Sequence, residues 1–290
     1  MNKKGFDPNF LGNDYSIPVP RLIDQTKLDA LNCGELFHYT HFSLVMNKRR
    51  RFLIYGANNI DKNTMKNVRR KDDWHFCNRM GVENQIGNEF YRSNPWDRGH
   101  MVRRKDVCWG SLEEAKQANF DSFCWGNIVL QHGEINQGVW NQIENWILEN
   151  DDNYLKKLSI FTGPIFTDHD REYCGEDKKL GCGIQIPAGF WKVMFYVNKK
   201  KEIRSLAFVV KQDDFWFNEY GKLFKTIENY QVPLSMISQI SGIEFEEVLY
   251  DTNPLFFWSN QFTFGKNIHT PERYKIRGKQ DLIIEREKKN

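Results

Sequence analysis

The chain has 290 residues, of which 40% are hydrophobic, 14% aromatic and 27% charged, with a net charge of +3. That apolar content can offset chain entropy in a buried core, so wholesale disorder is excluded. No apolar run approaches the ~18 residues that a membrane-spanning helix needs. No membrane partner is expected, and a charge of +3 is too small to imply a polyanionic partner by itself.

Residues 1–35 read as an extended N-terminal arm, because Pro8, Pro18 and Pro20 punctuate Gly5–Leu22. The stretch MNKKGFDPNFLGNDYS lacks the apolar centre of an export signal, so the expected location is cytoplasmic, with reduced thiols. The six cysteines form no C-x-x-C pair, which argues against a zinc ribbon and for small buried side chains. Leu36–Met46 and Phe52–Ala57 are rich in β-branched and aromatic residues and read as a hairpin across the polar turn between them.

Residues 62–106 then hold eleven Lys or Arg against six acids, a local excess of +5 that exceeds the charge of the whole chain. Such runs are commonly solvated surface, and they also suit phosphate. Ser111 and Glu114 form a capping-box pattern that predicts a helix after them. Trp140, Ile143 and Ile147 predict a helix from Asn136 to about Glu149. Strands are expected at Leu158–Phe166, Phe190–Val197 and Ile203–Val210, and a helix at Leu234–Ile240 ending near Gly242. The last twenty residues, from Pro271, are mostly charged and read as a tail or a loosely docked helix. Because strands and helices do not alternate regularly, the expected class is α+β, with a mixed, mostly antiparallel central sheet and helices. No linker interrupts the pattern, so one domain is expected rather than two.

Walker-type, H-E-x-x-H and G-x-S-x-G patterns are absent, which removes several common chemistries. The informative segment is Asp97-Arg98-Gly99-His100. An imidazole can accept a proton from water near neutral pH, and a guanidinium can bind two phosphate oxygens. Downstream, Asn136, Trp140 and Glu144 fall at i, i+4 and i+8, on one face of the expected helix. An amide oxygen and a carboxylate on that face could serve a hard divalent ion, although taken alone a helix-cap Asn and a solvent-facing Glu are the favoured explanation.

Together these segments resemble the DNA/RNA non-specific endonuclease family. The resemblance rests on DRGH at 97–100, GNIVLQ at 126–131 and NQGVWNQIE at 136–144. It extends to FTGPIF at 161–166 and IPAGFWK at 186–192, over roughly residues 36–250. That span is taken as the nuclease domain, with 251–290 as a C-terminal extension. The resemblance implies a ββα-metal finger on a larger sheet, hydrolysing phosphodiester bonds in DNA and RNA with Mg²⁺, for which Mn²⁺ could substitute.

By the same resemblance His100 is the base that activates water and Asn136 the side chain that holds the ion. Glu144 is the carboxylate that holds the ion's waters, and Arg98 lies near the scissile phosphate. Asp97, Asn127 and Gln131 are supporting residues. An upstream arginine also serves such sites; Arg70 is the best match and Arg69 the next. The family's arginine four residues past the motif glutamate is replaced by Leu148, so a phosphate or product contact is either missing or supplied by Arg103 or Arg104. His38, His41 and His75 read as structural, with His132 an outside candidate. The alternative is a non-cleaving nucleic-acid-binding module of the same fold. Further expected partners are a second copy in a homodimer and a regulatory or inhibitor protein, since an intracellular nuclease needs restraint.

Overall fold

Strands buried on both faces build the centre of the molecule. The structure is a computed structural model that describes residues 4–94, 96–133, 135, 138–149, 155–168, 170–173, 183–212, 228–255 and 274–284. Its strands in the first half are β1 (Arg21–Leu22), β2 (Phe37–His38), β3 (Phe42–Asn47), β4 (Phe52–Asp61), β5 (Trp96–His100), β6 (Ile128–His132) and β7 (Lys157–Ile165). The second half adds β8 (Glu172–Tyr173), β9 (Ile184–Gln185), β10 (Gly189–Val197), β11 (Ile203–Lys211), β12 (Glu228–Val232), β13 (Ile243–Glu244) and β14 (Tyr274–Ile276). Eight of them make one sheet in the order β14-β12-β11-β10-β7-β4-β3-β2, antiparallel throughout.

Both faces of this sheet are buried, so its central strands are apolar at nearly every position rather than alternately. Along β10, Phe190 and Met194 join one core while Trp191, Val193 and Phe195 join the other. The second core is covered by the N-terminal arm, through Phe6 and Ile17, and by helix Leu234–Ser241, through Leu234 and Ile237. The first core receives the hairpin β5–β6 and helix Val139–Glu149, through Ile128, Leu130, Trp140, Ile143 and Ile147. That helix shows an apolar stripe on one side, and it holds the residues that flank the candidate site.

The Ser111 capping box forms as expected: Glu114 N donates to Ser111 Oγ (3.2 Å) and Ser111 N to Glu114 Oε2 (2.8 Å), starting helix Leu112–Ser122. Helix Leu234–Ser241 ends at Gly242, whose φ of 65° is the left-handed conformation that glycine accepts most readily. Among the described residues no helix is long and apolar enough to cross a membrane.

Three expectations are corrected. The strand expected over Leu36–Met46 splits into β2 and β3, which fold back on each other. His41 sits at φ 70°, and Asp121 accepts hydrogen bonds from Thr40 N (3.0 Å) and Oγ1 (2.9 Å), so a side chain from another element holds the turn. The charged tail contributes Tyr274–Ile276 as an edge strand on β12, and the Gln231 amide bonds both backbone groups of Ile283 (2.7 and 2.9 Å). Backbone pairing needs little apolar content, which is why composition pointed elsewhere. The cysteines are not all thiols: Cys77 and Cys124 form a disulfide with Cα atoms 5.8 Å apart, while Cys33 and Cys108 are free. The pair is brought together by strand-like contact of the His75 segment with Cys124, which sequence spacing does not reveal.

Candidate active site

The D-R-G-H stretch is strand β5, and its register with β6 decides where each side chain points. Asp97 lies opposite Gln131, Arg98 opposite Leu130, Gly99 opposite Val129 and His100 opposite Ile128. Alternation then places Arg98 and His100 on one face of the hairpin and Asp97 with Gln131 on the other. Gly99 is required by close approach, because a Cβ there would lie 2.5 Å from Gln131 Oε1 and 2.6 Å from Gln131 Cβ.

Asn127 fixes the chain immediately after His100. Its Oδ1 accepts from Val102 N (2.8 Å), and its Nδ2 donates to the carbonyls of Val102 (2.9 Å) and Ser122 (3.0 Å). The residue is fully buried, so each of these bonds replaces solvent that cannot reach the groups.

His100 is flanked by Trp74 (ring centroids 5.5 Å apart) and by the edge of Phe123 (5.1 Å). Burial pushes its imidazole pKa down to about 3, helped by the positive charges of Arg70 and Arg104 and opposed by a hydrogen bond to the Arg98 backbone. Nε2 is sealed from solvent without a hydrogen-bond partner, so the ring nitrogen that meets the Arg98 backbone is Nδ1. With Nδ1 carrying the proton, the lone pair sits on Nε2. The site therefore holds a neutral imidazole with an uncommitted acceptor atom.

The arginines separate into two groups. Arg98 donates through Nε and Nη2 to Asn88 Oδ1 (3.1 and 2.7 Å) and lies over Trp74. Arg70 pairs with Asp72 (2.7 Å), lies over Phe123 and is half exposed. Arg69 beside it is exposed. Arg104 donates to the Val68 carbonyl (3.1 Å) and Asn119 Oδ1 (3.0 Å). Arg103 turns instead to the helix Val139–Glu149, where it donates to Asn141 (3.1 Å) and Asn145 (2.6 Å) and pairs with Glu144 (Nε to Oε2, 3.2 Å). Of the two arginines considered as replacements at Leu148, Arg103 is the one that reaches the motif glutamate.

Glu144 also receives Lys192 Nζ on its other oxygen, at 2.6 Å. Asp106 is buried beside this group, and burial together with the Glu144 charge pushes its carboxyl up to about 6, against the pull of Lys192, Arg103 and Lys62. Lys192, Asp106, Trp74 and Phe123 were not picked out as functional from the sequence. A lysine inside the apolar run GFWKVMFYV was the one visible signal among them.

Asn136 lies outside the described residues, so its position relative to His100 is not part of this geometry. Among the described residues no three His, Cys, Asp or Glu side chains cluster as a metal cage. Both Glu144 oxygens are held by cations, so this carboxylate is not arranged as a direct ligand. His38, His41 and His75 have structural partners: Ser43 Oγ (2.9 Å), the Val107 carbonyl (2.9 Å) and the Asp73 carbonyl (2.8 Å). His132 lies opposite Trp96 at the far end of the hairpin from His100.

Comparison with known proteins extends this picture. The family model described as DNA/RNA non-specific endonuclease matches residues 22–252. The chain is 34% identical over 276 residues to the uncharacterized protein y4fB of Sinorhizobium fredii, covering 85% of this chain and 40% of that protein. It is 26% identical over 170 residues to the mitochondrial nuclease EXOG of Mus musculus, covering 54% of this chain and 42% of that one. The chain thus spans about two-fifths of the length of the curated relatives it matches. Among solved structures, that of the EndoG/EndoGI complex aligns with a TM-score of 0.55 at 16% identity, covering 75% of this chain and 86% of the other, which shows a shared fold.

Proposed function

Because the chain belongs to the DNA/RNA non-specific endonuclease family, we propose that it is a metal-dependent endonuclease that hydrolyses phosphodiester bonds in both DNA and RNA. The observation that carries this reading is the neutral His100 imidazole, with an unpartnered Nε2 at the end of the motif strand.

A phosphodiester resists hydrolysis because its own charge repels nucleophiles and its leaving alkoxide is poor. Once substrate and its attacking water are admitted to the hairpin face of Arg98 and His100, His100 Nε2 takes a proton from the water as its oxygen bonds to phosphorus. The bond to the 3′ oxygen breaks, that oxygen taking a proton from solvent, to leave, by family resemblance, a 5′-phosphate and a 3′-hydroxyl. A positioned histidine contributes on the order of 10²–10⁴-fold to such a step. Arg98 and Arg70, which border the ring's aromatic neighbours, bind and orient the phosphate; Arg69 and Arg104 extend that positive surface. Asn127, Gln131 and Asp97 hold the hairpin in register. Mg²⁺, or Mn²⁺ in its place, would be held by Asn136 with Glu144 nearby, and when bound supplies charge neutralisation for phosphate and leaving group.

Contacts to phosphate carry no base information, which supports action on either nucleic acid. An inhibitor protein is part of the proposal, supported by the EndoG relative being solved in a complex with EndoGI. The test is incubation of single- and double-stranded DNA and RNA with the protein, with Mg²⁺ and then with chelator, alongside His100→Ala. Chelator-sensitive cleavage that His100→Ala abolishes supports the reading. Binding without cleavage would replace it by a non-cleaving module of the same fold.

A further inference from the structure

A lysine in the middle of a central sheet strand needs an explanation that burial does not supply. Lys192 is 1% exposed on β10, between Trp191 and Val193, which point into the opposite core. Its own side chain therefore points to the face where the hairpin β5–β6 and the helix Val139–Glu149 pack. There Nζ meets Glu144 Oε1 at 2.6 Å and lies 5.3 Å from the ring of Trp140, one helical turn earlier. Arg103 takes the other oxygen at 3.2 Å, and its Nη2 is in turn fastened to Asn141 and Asn145 on the same helix. Asp106 completes the buried group and leaves Oδ1 without a hydrogen-bond partner.

Taking charged groups out of water is costly, and replacing a whole buried ion pair by apolar side chains of similar volume is commonly neutral or stabilising. What the ion pair supplies is geometry. A carboxylate held by one cation on each oxygen can neither rotate nor swing away, yet each oxygen retains a further lone pair for water. The doubly paired Glu144 is thus a fixed acceptor on the face of the helix that begins just after Asn136.

We infer that Lys192 is a positioning residue for the cleavage reaction, acting through Glu144: from the central sheet it fixes the carboxylate that orients water around the divalent ion. This rests on the nuclease reading above. It also assigns a role to the lysine of the FWK segment on β10.

The experiment is a double-mutant cycle on the full chain with Lys192→Met, Glu144→Gln and the two combined, plus Lys192→Arg. Initial rates on duplex DNA give kcat and KM at graded Mg²⁺, and melting temperatures are taken without metal and on adding Mg²⁺. Lys192→Met is expected to lower kcat at least tenfold with KM within about threefold, and to shrink the Mg²⁺-induced rise in melting temperature. Lys192→Arg should recover much of the loss. In the Glu144→Gln background the lysine substitution should change kcat less than about twofold, because its effect passes through the carboxylate.

Equal fold-losses in both backgrounds, or wild-type kcat in Lys192→Met, overturn the inference while leaving the nuclease reading intact. Should Lys192→Met alone fail to fold, the double variant compared with Glu144→Gln decides, since neither then carries an unpaired buried carboxylate at 144. A further tenfold fall there overturns the inference. A wild type that cleaves no nucleic acid at any Mg²⁺ concentration overturns both readings together.

Discussion

The half-buried imidazole of His100, whose Nε2 is out of solvent reach, makes a thermodynamic prediction that needs no substrate. In the unfolded chain its pKa is about 6.5, and in the folded chain burial and two arginines bring it down to about 3. Above pH 6.5 the ring is neutral in both states. Below it, the unfolded chain takes up a proton that the folded chain refuses until about pH 3, so unfolding becomes easier as pH falls through that window. At about 1.36 kcal/mol per pKa unit, going from pH 7 to pH 5 removes about 2 kcal/mol of stability through this one group. His100→Gln cannot titrate there, so the wild type should lose about 2 kcal/mol more than the variant over the same interval. Urea unfolding of both proteins at pH 7 and pH 5 measures it, and subtraction cancels the titration of distant groups. Parallel losses in the two proteins, or an imidazole resonance titrating near 6.5, would refute the claim that the folded chain holds the ring neutral well below its ordinary pKa.

Asn127→Ala removes three hydrogen bonds to buried backbone groups and should cost about 3 kcal/mol, at about 1 kcal/mol each, read as a lower urea midpoint together with a loss of cleavage. Gly99→Ala drives a methyl into Gln131 and should cost about 1–3 kcal/mol, whereas Gly133→Ala, whose nearest contact would be 3.4 Å from Asp97, should change denaturation far less. Cleavage should fall steeply with salt, and Arg70→Gln should flatten the log–log salt slope of DNA binding by about 0.9, the value of one phosphate contact; an identical slope would remove Arg70 from the phosphate path.

What could be read in the sequence follows how local its cause is. The capping box at Ser111, the glycine stop at Gly242 and the apolar strands β7, β10 and β11 depend on neighbouring residues, and each forms where expected. The fold back of β2 on β3 depends on Asp121, eighty-one positions from Thr40, and no local pattern reports it. The same contrast holds in the candidate site. His100 was legible because strand β5 carries the whole D-R-G-H motif. Trp74, which packs on His100, and Lys192, which holds Glu144, become visible only when the chain closes, since each acts across a separation of twenty-six residues or more.

A base with a pKa near 3 is a weak one, and general-base catalysis is most efficient when the pKa lies near the working pH. The same structure contains a remedy. Part of the depression comes from the positive charges of Arg70 and Arg104, and these are the charges an entering phosphate would offset. Phosphate binding should therefore raise the His100 pKa toward its ordinary value, strengthening the base only once substrate is in place. The free protein would keep the ring neutral and sequestered between Trp74 and Phe123. The prediction can be read directly, by following the His100 ring through a pH titration with and without a saturating phosphorothioate oligonucleotide in the absence of divalent ions. An upward shift on binding, smaller in Arg70→Gln because less depression is left to relieve, supports the argument. A ring whose titration is unmoved at saturation would show that the arginine field and the phosphate do not meet at His100.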